Sequence, residues 1–399
     1  MTLNKVTSVD SVTYYVACDS GRALRSTNAG LNWTVLNTGI PNDIRDVDFI
    51  NANTGFAIAW EYGLVDPNFY GSIILKTTDA GQTWDSHYKR DDSIFYRKIS
   101  FINSQFGFLL GEPVGIVRTT NGGSNWIKDY IDTNTFVHGF PVWDIKTIGT
   151  QFGIACGGFQ DLAGVIWRTT NAGVNWTSQG VAPEPLFALH FYDNQNFIAV
   201  GGDFEYGASL VKTTNAGANW DYTPLNEFGI GLNLSFRTES DGWMALGLGQ
   251  KFLYTFDGGL GWRTIPTPNL ETILDVHFSS KRHGVAVGQH AAILIYNSSL
   301  VAIDNNTSKL PSSIELKQNY PNPFNPETII SFSLDKPQYV SLKIYDMIGK
   351  EIKTLVEGVT GPGEHKIRFD ASEIPAGIYF YTLKTDNKVY QTKKMILVK

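Results

Sequence analysis

Four segments of the chain, at 60–70, 111–113, 159–161 and 203–206, together supply acidic side chains interleaved with aromatic ones. Paired carboxylates can flank a glycosidic bond, bind cations or orient hydroxyl and amine groups, and neighbouring rings can stack on sugars or fill peptide pockets. The residues that could do this chemistry are Tyr62, Asp66, Glu112, Phe159, Asp161, Asp203, Glu205 and Tyr206. We treat them as a candidate ligand-binding set.

Other kinds of chemistry leave no pattern in the sequence. The histidines lack metal-ligand spacing, and neither a Gly-x-Ser-x-Gly segment nor a Ser-His-Asp arrangement is present. A formal net charge of −6 without a Lys/Arg cluster argues against a nucleic-acid partner. No run of apolar residues reaches a length of 18, so the sequence predicts no membrane span. The sequence therefore predicts no catalytic residue, no cofactor and no metal.

The segments of the candidate ligand-binding set lie between copies of an eight-residue box of the form Ser/Thr-x-Asn/Asp-x-Gly-x-Asn/Thr-Trp. It begins at Ser26, Thr77, Thr119, Thr169, Thr213 and, in degraded form, Thr255. Successive box tryptophans lie 51, 42, 50, 44 and 42 residues apart. A period in the forties with turn residues at fixed offsets is typical of propellers and solenoids.

The rest of each period predicts four short antiparallel strands. Alternating apolar segments such as 47–49 and 55–58 form the first two, a strand such as 74–76 leads into the box, and the box tryptophan opens the fourth. Four strands per period make one propeller blade. Residues 1–304 are therefore predicted to form an all-β propeller of about seven blades, with six to eight left open, and the last blade has no box.

The box itself is predicted to be scaffold. Its Asx side chain should bond nearby backbone N–H groups, its glycine should take a positive φ, and its tryptophan should pack between blades. The residues concerned are Asn28, Trp33, Asp79, Trp84, Asn121, Trp126, Asn171, Trp176, Asn215, Trp220, Asp257 and Trp262.

The box resembles the Asp-box, or BNR repeat, of sialidases, sortilin ectodomains, xyloglucanase-type propellers and photosystem II assembly and stability factors. The whole period, with its Lys/Arg-Thr-Thr-Asn-Ala-Gly-x-Asn-Trp core, is most similar to the last of these. That resemblance implies a protein client and no catalysis.

The enzymatic relatives leave a second hypothesis, a secreted glycoside hydrolase or sialidase-like enzyme. A sialidase needs three arginines on the substrate carboxylate, but Arg25, Arg118 and Arg168 recur at one repeat position that also holds Lys76 and Lys212. A site present once at the axis would not be copied in every blade. A xyloglucanase-type enzyme would need a second propeller.

After residue 304 the sequence changes character. Residues 305–313 are predicted to be a polar linker, and residues 314–399 a small β-sandwich of about seven strands. The segments Asn-Tyr-Pro-Asn-Pro-Phe-Asn-Pro (319–326), Asp-x-x-Gly-Lys (346–350) and Ala-Gly-Ile-Tyr-Phe-Tyr (376–381) resemble, in order, the type A C-terminal sorting domain of the type IX secretion system.

This second resemblance implies recognition by an outer-membrane translocon through residues 314–399, followed by release or attachment at the cell surface. Such export also requires an N-terminal signal peptide, and residues 1–8 contain no apolar core of the kind signal peptides have. We therefore expect the signal peptide to be missing from this sequence.

Propeller topology predicts which face carries function. If strands run one to four from the axis outwards, the box turns share a face with the turns between first and second strands. The loops between second and third strands and the crossovers between blades share the opposite face. Those loops vary in length, and binding residues usually lie on variable loops of a rigid scaffold. A protein or glycan ligand is therefore expected on the face that carries the candidate ligand-binding set.

Overall fold

The computed structural model describes residues 1–62, 70–89, 94–113, 115–133, 135–297, 314–385 and 388–398. The chain divides into two compact units, Met1–Ala302 and Ile303–Lys399. The linker expected at 305–313 lies outside the described residues, and the boundary at 304 remains a prediction.

Seven antiparallel sheets follow one another along the first unit, and each is one blade. Blades 1 and 2 contain β1 to β8, at Leu3–Ser8, Tyr14–Cys18, Arg22–Ser26, Thr34–Asn37, Ile44–Phe49, Gly55–Tyr62, Tyr70–Thr77 and Asp85–Lys89. Blades 3 and 4 contain β9 to β17, at Phe95–Phe101, Gly107–Glu112, Gly115–Thr119, Ile127–Lys128, Tyr130–Ile131, Val142–Ile148, Phe152–Phe159, Ala163–Thr169 and Asn175–Ala182. The short strand β13 pairs in parallel with β17 at the outer edge of blade 4.

Blades 5 to 7 repeat the arrangement. Their strands β18 to β28 lie at Leu186–Phe191, Phe197–Asp203, Gly207–Thr213, Asp221–Pro224, Asn233–Phe236, Gly242–Ala245, Lys251–Thr255, Arg263–Pro266, Ile273–Phe278, His283–Gly288 and Ile293–Asn297. Among the described residues, three short 3-10 helices lie in connecting segments, at Phe136–Gly139, Pro268–Leu270 and Gln289–Ala291. Blade 7 has three strands among the described residues.

The first strand of each blade lies innermost, and these strands form a closed ring. Strand β1 contacts β5 of the next blade and β26 of blade 7. The Lys5 ammonium lies 2.8 Å from the Asp275 carboxylate, and the Ala291 N–H donates to the Met1 carbonyl at 2.8 Å. Contacts between blades 1 and 7 therefore close the propeller, and the all-β, seven-bladed prediction is confirmed.

The hydrophobic core is divided among the interfaces between blades. One cluster joins Leu36 of blade 1 to Val47 and Phe49 of blade 2, and Trp84 packs against it. Every box tryptophan belongs in this way to the interface with the preceding blade. Blade 7 has no box, and an apolar groove of about 240 Å³ remains beside Trp243 and Tyr296 at the interface of blades 6 and 7.

The second unit consists of seven strands in two sheets. Strands β29 to β35 lie at Glu315–Leu316, Glu327–Leu334, Gln338–Tyr345, Glu351–Thr360, Gly363–Asp370, Gly377–Thr385 and Lys388–Leu397. The sheet orders are β29-β30-β33 and β32-β31-β34-β35. Phe332 from one sheet and Leu342 and Tyr381 from the other share a single buried cluster. This unit has its own core.

Candidate functional site

Backbone hydrogen bonds between loops show which loops share each of the two faces of the propeller. In blade 1 the Ala29 N–H of the box donates to the Val12 carbonyl, which lies between β1 and β2, at 2.8 Å. The equivalent bonds in blades 2 to 6 are Ala80 to Asn53, Gly122 to Gln105, Ala172 to Gln151, Ala216 to Gln195 and Gly258 to Ser240. We call this side of the propeller the box face.

The opposite side, the loop face, carries the loops between second and third strands together with the crossovers. The Gly158 N–H donates to the Pro141 carbonyl at 2.9 Å, and the Gly202 N–H donates to the Pro185 carbonyl at 3.0 Å. Each of these bonds ties the end of a second strand to the crossover entering the same blade. The variable loops therefore meet on one face.

Each box turn is closed by its own side chains. In blade 2 the Thr77 hydroxyl donates to Asp79 Oδ1 at 2.8 Å and accepts the Gly81 N–H at 2.9 Å, while Asp79 Oδ1 also accepts the Thr83 N–H at 2.9 Å. Gly81 has φ +85°. The same pattern holds Asn28, Asn121, Asn171, Asn215 and Asp257 in the other five boxes.

The box tryptophans differ in burial. Trp176 is fully buried, packs edge-on against Phe108 at 5.8 Å and donates its Nε1–H to Asp129 at 3.0 Å. The others, each partly buried, are Trp33, Trp84, Trp126, Trp220 and Trp262.

The candidate ligand-binding residues occupy the loop face in different environments. Tyr62 is 46% exposed and stacks on Phe95, and Phe159 and Tyr206 are 52% and 63% exposed. Asp161 and Glu205 are exposed. Asp66 lies outside the described residues.

Two of the candidate acids are tied into the scaffold. The Glu112 carboxylate lies 2.7 Å from the Arg97 guanidinium. Asp203 is 2% exposed, and its Oδ1 accepts the N–H groups of Glu205 at 3.0 Å and Tyr206 at 2.7 Å. The sequence analysis did not foresee that these carboxylates have partners within the fold.

A cavity of about 260 Å³ brings three of the candidate residues together. Glu112 of blade 3, Phe159 of blade 4 and Asp203 of blade 5 line it. Other parts of its wall come from Pro141, Trp143, Gly158, Gln160, Pro185, Phe187, Gly202 and Ile230. Tyr62, Asp161, Glu205 and Tyr206 do not line this cavity.

The acids outside the cavity still lie close to Asp203. The carboxylate of Glu205, by its charge and by accepting a hydrogen bond, raises the pKa of the Tyr206 hydroxyl, and the charges of Asp203 and Asp161 act in the same direction. The charges of acids on the loops of blades 4 and 5 therefore act together on Tyr206.

A stacked row of side chains lies beside the cavity and was not predicted from the sequence; all its members except Trp60, which lies on β6, come from innermost strands. The Arg97 guanidinium lies 4.3 Å from the Trp60 ring and 4.4 Å from the Trp143 ring. Trp143 in turn stacks on Phe187 at 5.9 Å, and Arg45 lies over Trp60 at 4.5 Å. The signal was available: Arg45, Arg97, Trp143 and Phe187 occupy one equivalent position in four successive first strands.

Exposed aromatic side chains favour the loop face. Those on the loop face are Tyr62, Phe136, Phe159, Phe204, Tyr206 and Phe228, and the exception among the described propeller residues is Tyr130, at the outer edge of blade 4. By contrast, the large apolar residues exposed on the box turns, Leu31, Val174 and Leu260, are aliphatic. Large exposed apolar groups that cluster on one surface mark interaction sites.

A second, polar cavity of about 270 Å³ runs along the axis and is lined by all seven innermost strands. Acids of the innermost strands bridge adjacent blades: Asp48, which lines the cavity, accepts the Phe101 N–H at 2.7 Å, and nearby Asp46 Oδ2 and Asp144 Oδ2 accept the N–H groups of Ile99 and Leu189, each at 2.9 Å. The Lys98 ammonium lies 3.5 Å from Asp46 and 3.7 Å from Asp144. The charged side chains near the axis therefore bond adjacent innermost strands to one another.

The described part of the chain contains no group of three or more His, Cys, Asp and Glu side chains placed to hold a metal ion. Cys18 and Cys156 are buried free thiols, and burial raises the pKa of both. Among the described residues, no helix has the length and apolar character needed to cross a membrane.

This architecture defines a seven-bladed BNR-repeat propeller followed by a separate β domain. Residues 23–184 match the family model described as "Photosynthesis system II assembly factor YCF48", and residues 318–399 match that of the "Secretion system C-terminal sorting domain". The chain thus combines a YCF48-like propeller with a C-terminal secretion-system sorting domain, as both resemblances predicted. The sorting domain indicates secretion or a cell-surface location.

One curated relative is the photosystem II assembly lipoprotein Ycf48 of Synechococcus sp. (strain CC9902), 26% identical over 146 residues. The match covers 36% of this chain and 39% of that protein, so the chain spans about two fifths of its relative's length.

Solved structures show similarity of fold. YCF48 bound to D1 peptide has a TM-score of 0.58 at 17% identity, over 74% of this chain and 93% of that chain. YCF48 from Cyanidioschyzon merolae has a TM-score of 0.58 at 14% identity, over 75% of this chain and 96% of that chain. The GH74 xyloglucanase from Xanthomonas campestris has a TM-score of 0.57 at 13% identity, over 99% of this chain and 66% of that chain. At these identities the likeness concerns the fold alone.

Proposed function

We propose that this chain is an exported, non-catalytic propeller that binds a protein or glycan ligand on its loop face. The observation that carries the proposal is the cavity lined by Glu112, Phe159 and Asp203, on the same face as most of the exposed aromatic side chains. A relative of similar fold is described as bound to a peptide, which supports a protein ligand. Residues 314–399 would direct the propeller to the type IX translocon.

The non-catalytic part of the proposal is supported by the state of the carboxylates. A glycosidase needs one carboxylic acid to donate a proton and a second carboxylate to act as base or nucleophile. Here Glu112 is paired with Arg97, and one oxygen of Asp203 accepts two backbone N–H groups. Both carboxylates that line the cavity are thus held by structural contacts.

The proposal is tested by Tyr62→Ala and Tyr206→Ala, assayed against a glycan array and a peptide array. Each substitution should weaken binding by about 1–3 kcal/mol, the effect of removing an aromatic anchor. Melting temperatures should change little because both side chains are largely exposed. Oligosaccharide hydrolysis is measured in parallel, and turnover would favour the glycosidase hypothesis.

Tyr130→Ala is the matched control. Tyr130 is a similarly exposed tyrosine that lies on β13, at the outer edge of blade 4. If Tyr130→Ala weakens binding while the two loop-face variants do not, the ligand does not bind the loop face.

A further inference from the structure

Asp203 carries a carboxylate oxygen without a partner. Its Oδ1 is used by the turn at 203–206, while its Oδ2 is buried and has no hydrogen-bond partner. The residue lines the loop-face cavity. A buried carboxylate oxygen left unpaired is costly, and a donor supplied by a ligand would offset that cost.

The surroundings of Asp203 are negatively charged. Glu184, itself buried, accepts a hydrogen bond from the Tyr222 hydroxyl at 2.9 Å. Burial, and then the carboxylates of Glu184 and Asp203, raise the pKa of Tyr222 to about 12. Two further exposed acids, Asp161 and Glu205, lie on the loops between second and third strands of blades 4 and 5, on the same face.

The neighbouring cation does not neutralise this group of acids. Arg97 is already paired with Glu112 at 2.7 Å and is stacked between two indole rings. The charge that complements the cavity is therefore positive.

The walls of the cavity suit a side chain with an apolar stem. Trp143, Phe159 and Phe187 contribute rings, and two prolines and Ile230 contribute further apolar surface. A volume of about 260 Å³ lies just below the roughly 300–1,000 Å³ of pockets for drug-sized ligands. Lysine and arginine side chains lay their methylene stems along apolar surface while the head group reaches a polar partner.

A sugar is the competing occupant, because Gln160 and the Trp143 indole N–H, which has no hydrogen-bond partner, can donate to sugar hydroxyls, and both carboxylates can accept from them. The negative charge beside Asp203 favours a basic side chain over an uncharged sugar.

We propose, building on the proposed function, that the loop-face cavity receives a lysine or arginine side chain of a protein ligand. The ammonium or guanidinium group donates to Asp203 Oδ2, and the stem packs against Phe187 and Phe159. The ring faces add cation–π attraction. The partner is thus an extracellular protein that presents a basic residue in an accessible segment.

The test begins with a random heptapeptide library selected on the full-length chain. We expect enrichment of Lys or Arg at one position next to apolar residues. A selected peptide is then compared by calorimetry with two synthetic versions in which norleucine or citrulline replaces the basic residue. Removing the charge should weaken binding at least tenfold, and raising the salt concentration should weaken binding of the parent peptide.

Asp203→Asn is the matched change in the protein. Asparagine retains an Oδ1 acceptor for the turn at 203–206 and replaces the charged Oδ2 with an uncharged amide nitrogen. We expect at least a tenfold loss of affinity in Asp203→Asn and less than a twofold change in Glu239→Gln, an exposed acid between β22 and β23 on the box face.

The alternative results separate this inference from the proposed function. Selected peptides without a basic residue, equal affinity for the norleucine peptide, or binding of oligosaccharides alone would overturn the inference and leave loop-face binding intact. If neither peptides nor oligosaccharides bind the loop face, both proposals fail.

Discussion

The side chains of each box are bonded to their own turn. Asp79 shows this most clearly, because the hydroxyl and N–H of Thr83 both donate to it and hold its pKa at about 2, well below the usual value. The hydroxyl at the first box position is engaged as well, by the glycine N–H four residues later. We infer that the Asx residues of the boxes are scaffold and do not bind a ligand.

Trp176→Ala should destabilise the propeller more than any other tryptophan substitution in a box. The indole is fully buried, and its removal leaves Asp129, also buried, without one hydrogen bond. We expect a loss of about 3–5 kcal/mol in the free energy of unfolding, measured by denaturant titration. Trp126→Ala should cost less because Trp126 is partly exposed. Unchanged stability of Trp176→Ala would contradict the packing role.

At the residue scale, the sequence was sufficient for positions that repeat. The spacing of Asx, Gly and Trp predicted a closed turn and a packed indole, because local chemistry alone decides both. The burial of Asp203 and the pairing of Glu112 with Arg97 could not be predicted, because each depends on how neighbouring elements approach one another.

At the scale of elements, the innermost strands are joined by side chains. Asp275 Oδ2 accepts the Val6 N–H at 2.7 Å, and the Ser8 hydroxyl lies 2.8 Å from His277 Nε2. Burial lowers the pKa of His277 to about 3 and that of His190 to about 4, and nearby lysines act in the same direction. Both imidazoles are therefore neutral in the folded chain at neutral pH.

This arrangement predicts that the propeller loses stability on acidification. Between pH 6.5 and about 4, His190 binds a proton in the unfolded chain but not in the folded chain. The free energy of unfolding should therefore fall as the pH decreases through this window, by about 1–3 kcal/mol for His190. His190→Gln should show a shallower dependence of the melting temperature on pH.

His87→Gln is the control, because His87 is exposed on β8. It should retain the pH dependence of the unsubstituted chain. Identical pH profiles for His190→Gln and the unsubstituted chain would show that His190 is not held neutral by the axial strands.

The strand pattern was largely predictable from alternation and turn residues, and so was the assignment of loops to faces. The stacked row from Arg45 to Phe187 was not predicted. Its members belong to four successive blades, and only the packing of each blade against the next brings them together. An alignment of the first strands would have shown that one position changes from arginine in blades 2 and 3 to an aromatic residue in blades 4 and 5.

At the scale of the whole molecule, the chain consists of two units with separate cores. The propeller places its variable loops on one face, and the C-terminal unit buries its own cluster around Phe332 and Tyr381. The repeat period predicted the number of blades, and the motifs after residue 314 predicted the sorting domain. The identity of the ligand was not predictable, because it depends on loop conformations that the repeat does not determine.

The propeller can be the cargo of the sorting domain only if the two units act independently. A chain ending at Asn305 should melt as cooperatively as the propeller of the full-length chain, since the interfaces between blades do not involve the sorting domain's core. This result is the control showing that the shortened chain still folds.

The most direct measurement is the fraction of each chain found outside the cell. The full-length chain and the chain ending at Asn305 are given the same N-terminal signal peptide and expressed in a host with a functional type IX system. We predict that the full-length chain reaches the cell surface or the medium, while the shortened chain accumulates, folded, in the periplasm. Equal appearance of both chains outside the cell would contradict the claim that residues 314–399 direct export of a binding propeller.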